Sequence, residues 1–207
     1  MAKTLDLLSA QAALVEAARH FHQRGWMLGT AGNLSARDSK SKNILWITGS
    51  GLPKGNLEES DFLEINIDNG KCNTLTHLKP SAETAIHQVI YQHFPHANCC
   101  MHVHSVDAAL ATERHGCKNY IELPTLEMLK GFGIWEEQPV VHLPVFTNHL
   151  DVGKIAKDIN QHLKENETKI DALMIRNHGI TVWGSSIQET YNRVELLEFI
   201  MNFLARK

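Results

Sequence analysis

The stretch "NCCMHVHS", residues 98 to 105, carries two histidines two apart at the end of an apolar run. Two imidazoles can share a metal ion when their side chains converge, so the local structure decides what the pair can do. Thirteen histidines in 207 residues make about one such pair expected by chance, and spacing alone is weak evidence. A second pair, His20 and His22 in "AARHFHQRG", has the same spacing. There, Leu7, Ala10, Leu14, Ala17 and Phe21 recur at helical intervals and Gly25 marks a stop. Residues two apart on a helix diverge by about 200° around the axis, which predicts no shared ion at that pair. His102 and His104 instead follow Pro95 in a segment too short and too apolar for a helix. On a strand they project from one face about 7 Å apart, within reach of one ion.

A metal needs a further ligand. His178 in "IRNHGI" is the candidate, at a predicted turn between two strands. Three histidines with an open position suit zinc acting as a Lewis acid on a carbonyl or hydroxyl oxygen. Two carboxylates lie in suggestive places. Glu83 falls in the first turn of a predicted helix, where the dipole favours it, and Glu127 falls in "PTLEMLKGFG". Two polar, glycine-rich stretches, "GTAGNLSAR" and "ITGSGLPKG", have the makings of an anion site, and "KPS" adds Lys79 beside a helix N-terminus.

The elements that must position these residues are legible in outline. Short apolar runs at Ile44–Thr48 and Phe62–Ile67, separated by Gly, Ser and Asn, predict hairpins. "KPSAETAIHQVIYQHFPHA" predicts a helix capped by Ser81, with Ala82, Ile86, Val89 and Ile90 on its apolar face. After the histidine strand come a short helix in "DAALATERHG", a strand in "PVVHLPV", and a helix from Val152 carrying Ile155, Ile159 and Leu163. Two strands then meet near His178 and Gly179, and a long amphipathic helix follows Ser186. Strands that follow one another early in the chain predict an α+β, three-layer α/β/α fold with a largely antiparallel central sheet. No repeat, low-complexity tract or linker appears, so residues 1–207 are expected to form a single domain.

Composition narrows the class. The chain is 43% hydrophobic and 21% charged, with a net charge of -3, as in ordinary globular proteins. It has no basic stripe for nucleic acid and no run near the ~20 apolar residues of a membrane helix. "MAKTLDLLSAQ" lacks a signal-like apolar core, so a cytoplasmic location is expected. Cys72, Cys99, Cys100 and Cys117 form no Cys-x-x-Cys pair and are expected to be buried reduced thiols.

The ordered set TAGN, ITGSG with a proline two residues on, KPSAE, HVHS and NHG resembles the class II aldolase/adducin-type family, over nearly the whole chain from Leu7 to the last helix. The resemblance implies one zinc per subunit held by His102, His104 and His178, and a phosphate pocket made from Asn33, Ser50, Gly51 and Ser81. It also implies a sugar-phosphate substrate and a homotetramer with active sites near subunit interfaces. Within the family, "LEMLKGFG" is similar to a dehydratase signature, which makes Glu127 the implied acid/base. The family's aldolases place their key carboxylate where Glu83 stands, so an aldolase or epimerase is the alternative.

Overall fold

A computed structural model describes residues 4–115 and 118–207 of the chain. Its centre is an eight-stranded sheet. In chain order the strands are β1 (Asn33–Arg37), β2 (Ile44–Thr48), β3 (Phe62–Asn66), β4 (Cys99–Val103), β5 (Tyr120–Glu122), β6 (His142–Phe146), β7 (Ala172–Ile175) and β8 (Gly179–Gly184). They lie side by side in the order β3-β2-β1-β4-β8-β7-β6-β5. Every neighbouring pair is antiparallel except β6 with β7, which are parallel. The helices are α1 (Ala10–Gln23), α2 (Thr84–His93), α3 (Val106–His115), α4 (Val152–Glu165) and α5 (Ile187–Arg206). The expected α+β three-layer architecture is present. No helix of the described residues is long and apolar enough to cross a membrane.

Strand alternation sorts the side chains into two buried layers. Leu34, Met101, Val103, Ile180 and Val182 pack with Leu14, Phe21, Leu197 and Met201 under α1, α3 and α5. Cys100 and Trp183 face the other way, with Ile86, Ile90, Ile155 and Ile159 of α2 and α4. His102, two residues after Cys100, therefore points toward α2. Asn33 and Ser35 of β1, paired in register with His102 and Cys100, share that face. The adjacent Cys99 and Cys100 are buried on opposite faces, and burial raises both thiols above their ordinary range. Cys72 is half-buried and free, and Cys117 lies outside the described residues.

Two local expectations need correction. Leu7 is exposed in a 3-10 turn (Leu5–Leu7), and Leu5 enters the core in its place. The cause is the cap: Ser9 Oγ accepts from Ala12 N, so α1 begins after Leu7. Ser81 does not cap α2 either. Its Oγ accepts from Glu83 N and its carbonyl from Thr84 N, closing a turn that delays the helix to Thr84. Ala82 is left exposed outside the helix. Glu83 becomes the N-cap residue, yet its side chain bonds to no helix N–H.

The exit of β4 is pinned from the opposite layer. Ser105 Oγ accepts from Ala108 N at the start of α3 and donates to Glu198 Oε2 of α5 at 2.6 Å. Glu198 is buried, and its Oε1 has no hydrogen-bond partner. Burial pushes its carboxyl up to about 7, against the Ser105 hydrogen bond, and nearby Asp107 adds to the rise. Because the folded value lies above the unfolded one, the folded chain holds this proton longer. The contribution to stability is full below about pH 4.3 and is lost as pH climbs to about 7. Glu198→Gln should remove that loss, gaining roughly 2–3 kcal/mol over wild type between pH 5 and pH 8. Urea unfolding at both pH values measures it; an unchanged difference would contradict the assignment.

Candidate metal centre and adjoining cavity

Three separate stretches of chain meet at one end of the sheet. β4 delivers His102 and, one residue past its end, His104. The β7–β8 turn delivers His178, and the start of α2 delivers Glu83. The turn is built for close approach. Asn177 takes a left-handed conformation (φ 51°), and its side chain accepts from Thr112 Oγ1 of α3 at 2.8 Å and donates to Glu113 Oε1. At Gly179 any Cβ would lie 2.1 Å from the Val103 carbonyl oxygen, so glycine alone lets β8 start beside β4.

The ligand atoms of Glu83, His102, His104 and His178 all lie within 4.8 Å of one another. His102 Nε2 and His104 Nε2 are 2.8 Å apart. Glu83 Oε2 is 3.5 Å from His102 Nε2, and Glu83 Oε1 is 3.1 Å from His178 Nε2. That last pair is within ion-pair range but badly angled: Glu83 Oε1 has no hydrogen-bond partner, nor does the buried His178 Nδ1. Orphaned acceptors and crowded imidazoles are what a bound cation would satisfy, and three nitrogens with one carboxylate suit a zinc-like ion. Burial pushes His102 down to about 4, and burial with the neighbouring imidazoles pushes His104 down to about 3. Both are therefore neutral lone-pair donors near pH 7. With His102 Nε2 as the ligand atom, Nδ1 carries the proton and donates to Thr181 Oγ1 at 2.9 Å, orienting the ring.

Glu83 is pulled two ways. Burial alone would raise its carboxyl, but His102, His178 and the Asn33 amide outweigh that and hold it well below the usual carboxylate range. It is a fixed anion of low basicity.

A cavity of about 320 Å³ opens over the cluster. It is lined by Asn33, Ser50, Gly51 and Ser81 together with Glu83, His104 and His178. The glycine-rich loops are tied to one another: Ser50 N donates to Lys79 O, Ser81 N to Thr48 O, and Lys54 N to Gly29 O. Lys79 itself points to solvent and does not line the cavity. The cation there is Lys54, from the ITGSGLPKG stretch and not among the residues its motif singles out. Its buried ammonium donates to Thr30 O at 2.7 Å and Leu52 O at 2.9 Å. Burial lowers its pKa, with Glu83 working in the opposite direction.

Glu127 is not brought to this cluster within one chain. It opens a 3-10 helix (Glu127–Phe132), with its side chain 72% exposed and 2.9 Å from Lys130 Nζ. It lines a separate depression with Leu126, Ile134 and the exposed Trp135. The control pair stays apart as its helix requires: His20 faces Glu16 at 3.2 Å, and His22 Nδ1 meets Met27 O.

Residues 12–204 match the family described as Class II Aldolase and Adducin N-terminal domain. The chain belongs to this family. Among its relatives is a methylthioribulose-1-phosphate dehydratase of Microcystis aeruginosa, 52% identical over 93% of each chain. One of the same name from Leptospira biflexa is 39% identical over 98% of this chain and all of that one. Of solved class II aldolase-like structures, YgbL from Escherichia coli superposes with a TM-score of 0.79 at 25% identity, covering 97% of this chain and 89% of that one. An L-fuculose 1-phosphate aldolase gives 0.74 at 22% identity, covering 97% and 87%. The last likeness concerns the fold alone.

Purified protein should carry close to one metal ion per chain. The His102→Ala/His104→Ala double variant should lose it, while His20→Ala/His22→Ala should retain it. Elemental analysis after exhaustive dialysis reads the difference, and full occupancy in the first variant would sink the site.

Proposed function

We propose that the protein dehydrates 5-methylthioribulose 1-phosphate to 2,3-diketo-5-methylthiopentyl 1-phosphate, a hydro-lyase step of methionine salvage. The observation that carries this reading is near-full-length identity to methylthioribulose-1-phosphate dehydratases. The ion of this reading is zinc, held by His102, His104 and His178. When bound, zinc supplies a Lewis acid that polarises the substrate's carbon-2 carbonyl. A cytoplasmic homotetramer with its sites near subunit boundaries belongs to the same reading.

The protein's own groups supply the rest. Ser50, Gly51, Ser81 and Asn33 offer N–H and O–H donors to the phosphate at the cavity rim, and Lys54 offers a buried positive charge. Dehydration requires taking the proton from carbon 3, next to the ketone, and expelling the hydroxyl of carbon 4 as water. One carboxylate can remove that proton and return it to the departing oxygen. The resulting enol relaxes to the diketone. Glu83, held as a weakly basic anion, is suited to orient rather than to shuttle. Glu127 is the acid/base in this reading. In this reading it serves a neighbouring subunit's site, since within its own chain it is exposed and lines a separate depression.

The presence of Glu83 within the cluster favours a second reading, a zinc-dependent sugar-phosphate aldolase or epimerase using that carboxylate. Incubation with methylthioribulose 1-phosphate separates the two. The diketone supports the dehydratase; carbon–carbon cleavage fragments or an epimer would overturn it.

Ser50→Ala, Ser81→Ala and Lys54→Met should each raise KM by roughly 10- to 150-fold, the worth of one hydrogen bond to a charged group. Unchanged kcat/KM in all three would empty the cavity of phosphate. Glu127→Gln should keep its metal and lose about 10²–10⁴ in rate, with Glu83→Gln costing less at equal metal content. Mixed tetramers of Glu127→Gln and His102→Ala/His104→Ala subunits should regain activity that neither parent has. No regain, with Glu83→Gln dead and Glu127→Gln near wild type, would return the proton to Glu83.

A further inference from the structure

Behind the metal cluster lies a ladder of buried polar side chains, of which the proposed chemistry uses only Glu83 and Asn33 at its near end. Glu83, His87 and Tyr91 fall at i, i+4 and i+8, one stripe at the start and along the inner face of α2. Asn33 and Ser35 alternate on the facing side of β1. The two rows interlock. Asn33 Nδ2 donates to Glu83 Oε2, and Asn33 Oδ1 meets His87 Nε2 at 2.5 Å. His87 Nδ1 meets Ser35 Oγ at 2.6 Å, and Ser35 Oγ meets Tyr91 Oη at 2.8 Å. All five residues are buried, and His87 and Ser35 are fully inaccessible.

The chemistry of each group fixes the direction of every proton. An ionised carboxylate accepts only, so Asn33 must turn its NH₂ toward Glu83 and its carbonyl toward His87. A carbonyl accepts only, so His87 must carry hydrogen on Nε2. Burial pushes the His87 imidazole down to about 4, so near neutrality the ring is uncharged and Nδ1 is bare. Ser35 therefore donates to Nδ1 at 2.6 Å in preference to the more distant Cys100 carbonyl at 3.4 Å, and its oxygen accepts from Tyr91 O–H. The four hydrogen bonds point one way, toward Glu83.

We propose that His87, as its Nε2–H tautomer, is a positioning residue for the metal centre. It holds the Asn33 amide so that its N–H binds Glu83 Oε2, leaving Oε1 free and aimed at the histidine cluster. The Asn33 carbonyl selects this tautomer, and Ser35, bonded in turn to Tyr91, satisfies the other ring nitrogen. With the amide reversed, the Asn33 carbonyl would face a carboxylate, and His87 is the group that makes the reversal costly. The inference rests on the metal reading of the cluster but not on the identity of the substrate.

Neutron diffraction from crystals of the metal-loaded protein exchanged into heavy water tests it directly. Deuterium is expected on His87 Nε2 and on Tyr91 Oη, with Nδ1 bare. Deuterium on Nδ1 alone, or on both nitrogens near pH 7, would overturn the proposal. Metal affinity supplies the second readout, by competition with a chelator and without substrate. His87→Phe, which fills the space but donates nothing, should weaken zinc binding by about 10–100-fold, the usual effect of losing an outer-shell partner. His87→Gln, whose amide can still donate to Asn33, should recover part of the loss. Wild-type affinity in a folded His87→Phe protein would refute the role, as would equal losses in the two variants. If His87→Phe fails to fold, the wild-type neutron map decides: deuterium on His87 Nε2 facing the Asn33 carbonyl supports the role, and a bare Nε2 refutes it. Since neither readout involves turnover, failure of the dehydratase reading would leave them untouched.

Discussion

The structure depends on burying polar side chains on one face of its central strands. Asn33, Ser35, His102 and Thr181 all point from β1, β4 and β8 toward α2 and are excluded from water. An unpaired amide or hydroxyl in such a place costs about 1–3 kcal/mol. The layer is tolerated because each member has a partner: Asn33 with Glu83 and His87, Ser35 with Tyr91, and His102 with Thr181. The same pairings hold the cluster in shape, so the requirement for a stable interior and the requirement for an oriented site are met by one set of bonds. The opposite face of these strands carries ordinary aliphatic packing and supplies the cohesion.

The division of labour between rigid and adaptable parts follows from this. The histidines and Glu83 sit on strand and helix ends anchored in the two layers, whereas Ser50, Gly51 and Ser81 belong to loops joined by backbone hydrogen bonds. Loops of this kind can change without disturbing the sheet, which explains how one scaffold can serve aldolases and dehydratases alike. Selectivity is then a matter of what the loops and any neighbouring subunit present to the substrate.

What was legible in the sequence was whatever periodicity dictates. The same-face placement of His102 and His104 follows from a strand, the divergence of His20 and His22 from a helix, and the third histidine from a turn with a following glycine. The layered architecture and the grouping of the two glycine-rich loops with Ser81 also follow. Features set by non-local geometry did not. Lys54 and Lys79 both stand beside turns, and a lysine reads as exposed by default. What buries Lys54 is a pair of carbonyls, one of them Thr30 O from a loop far earlier in the chain. Ser81 was a reasonable cap, but its hydroxyl served a turn, and that shift of helix start turned Glu83 toward the histidines. The ladder of His87, Ser35 and Tyr91 was hidden because those residues sit at positions that hydrophobic patterning counts as interior. Glu127 faces outward from its own chain, and a motif read along the sequence does not reveal which side of the fold its carboxylate takes.

The glycine at the start of β8 carries a consequence for how the protein is made. His178 reaches the other ligands because Gly179 lets β8 begin against the Val103 carbonyl, and because Asn177 is locked to α3. Those contacts join distant parts of the chain, which form slowly because long loops must close first. No subset of the unfolded chain prearranges the three histidines and Glu83, so a metal ion in the surroundings would meet scattered side chains until the β4–β8 pair has formed. Completion of the site is thus a late event in folding, and until then the newly made chain presents no assembled cluster to a metal ion.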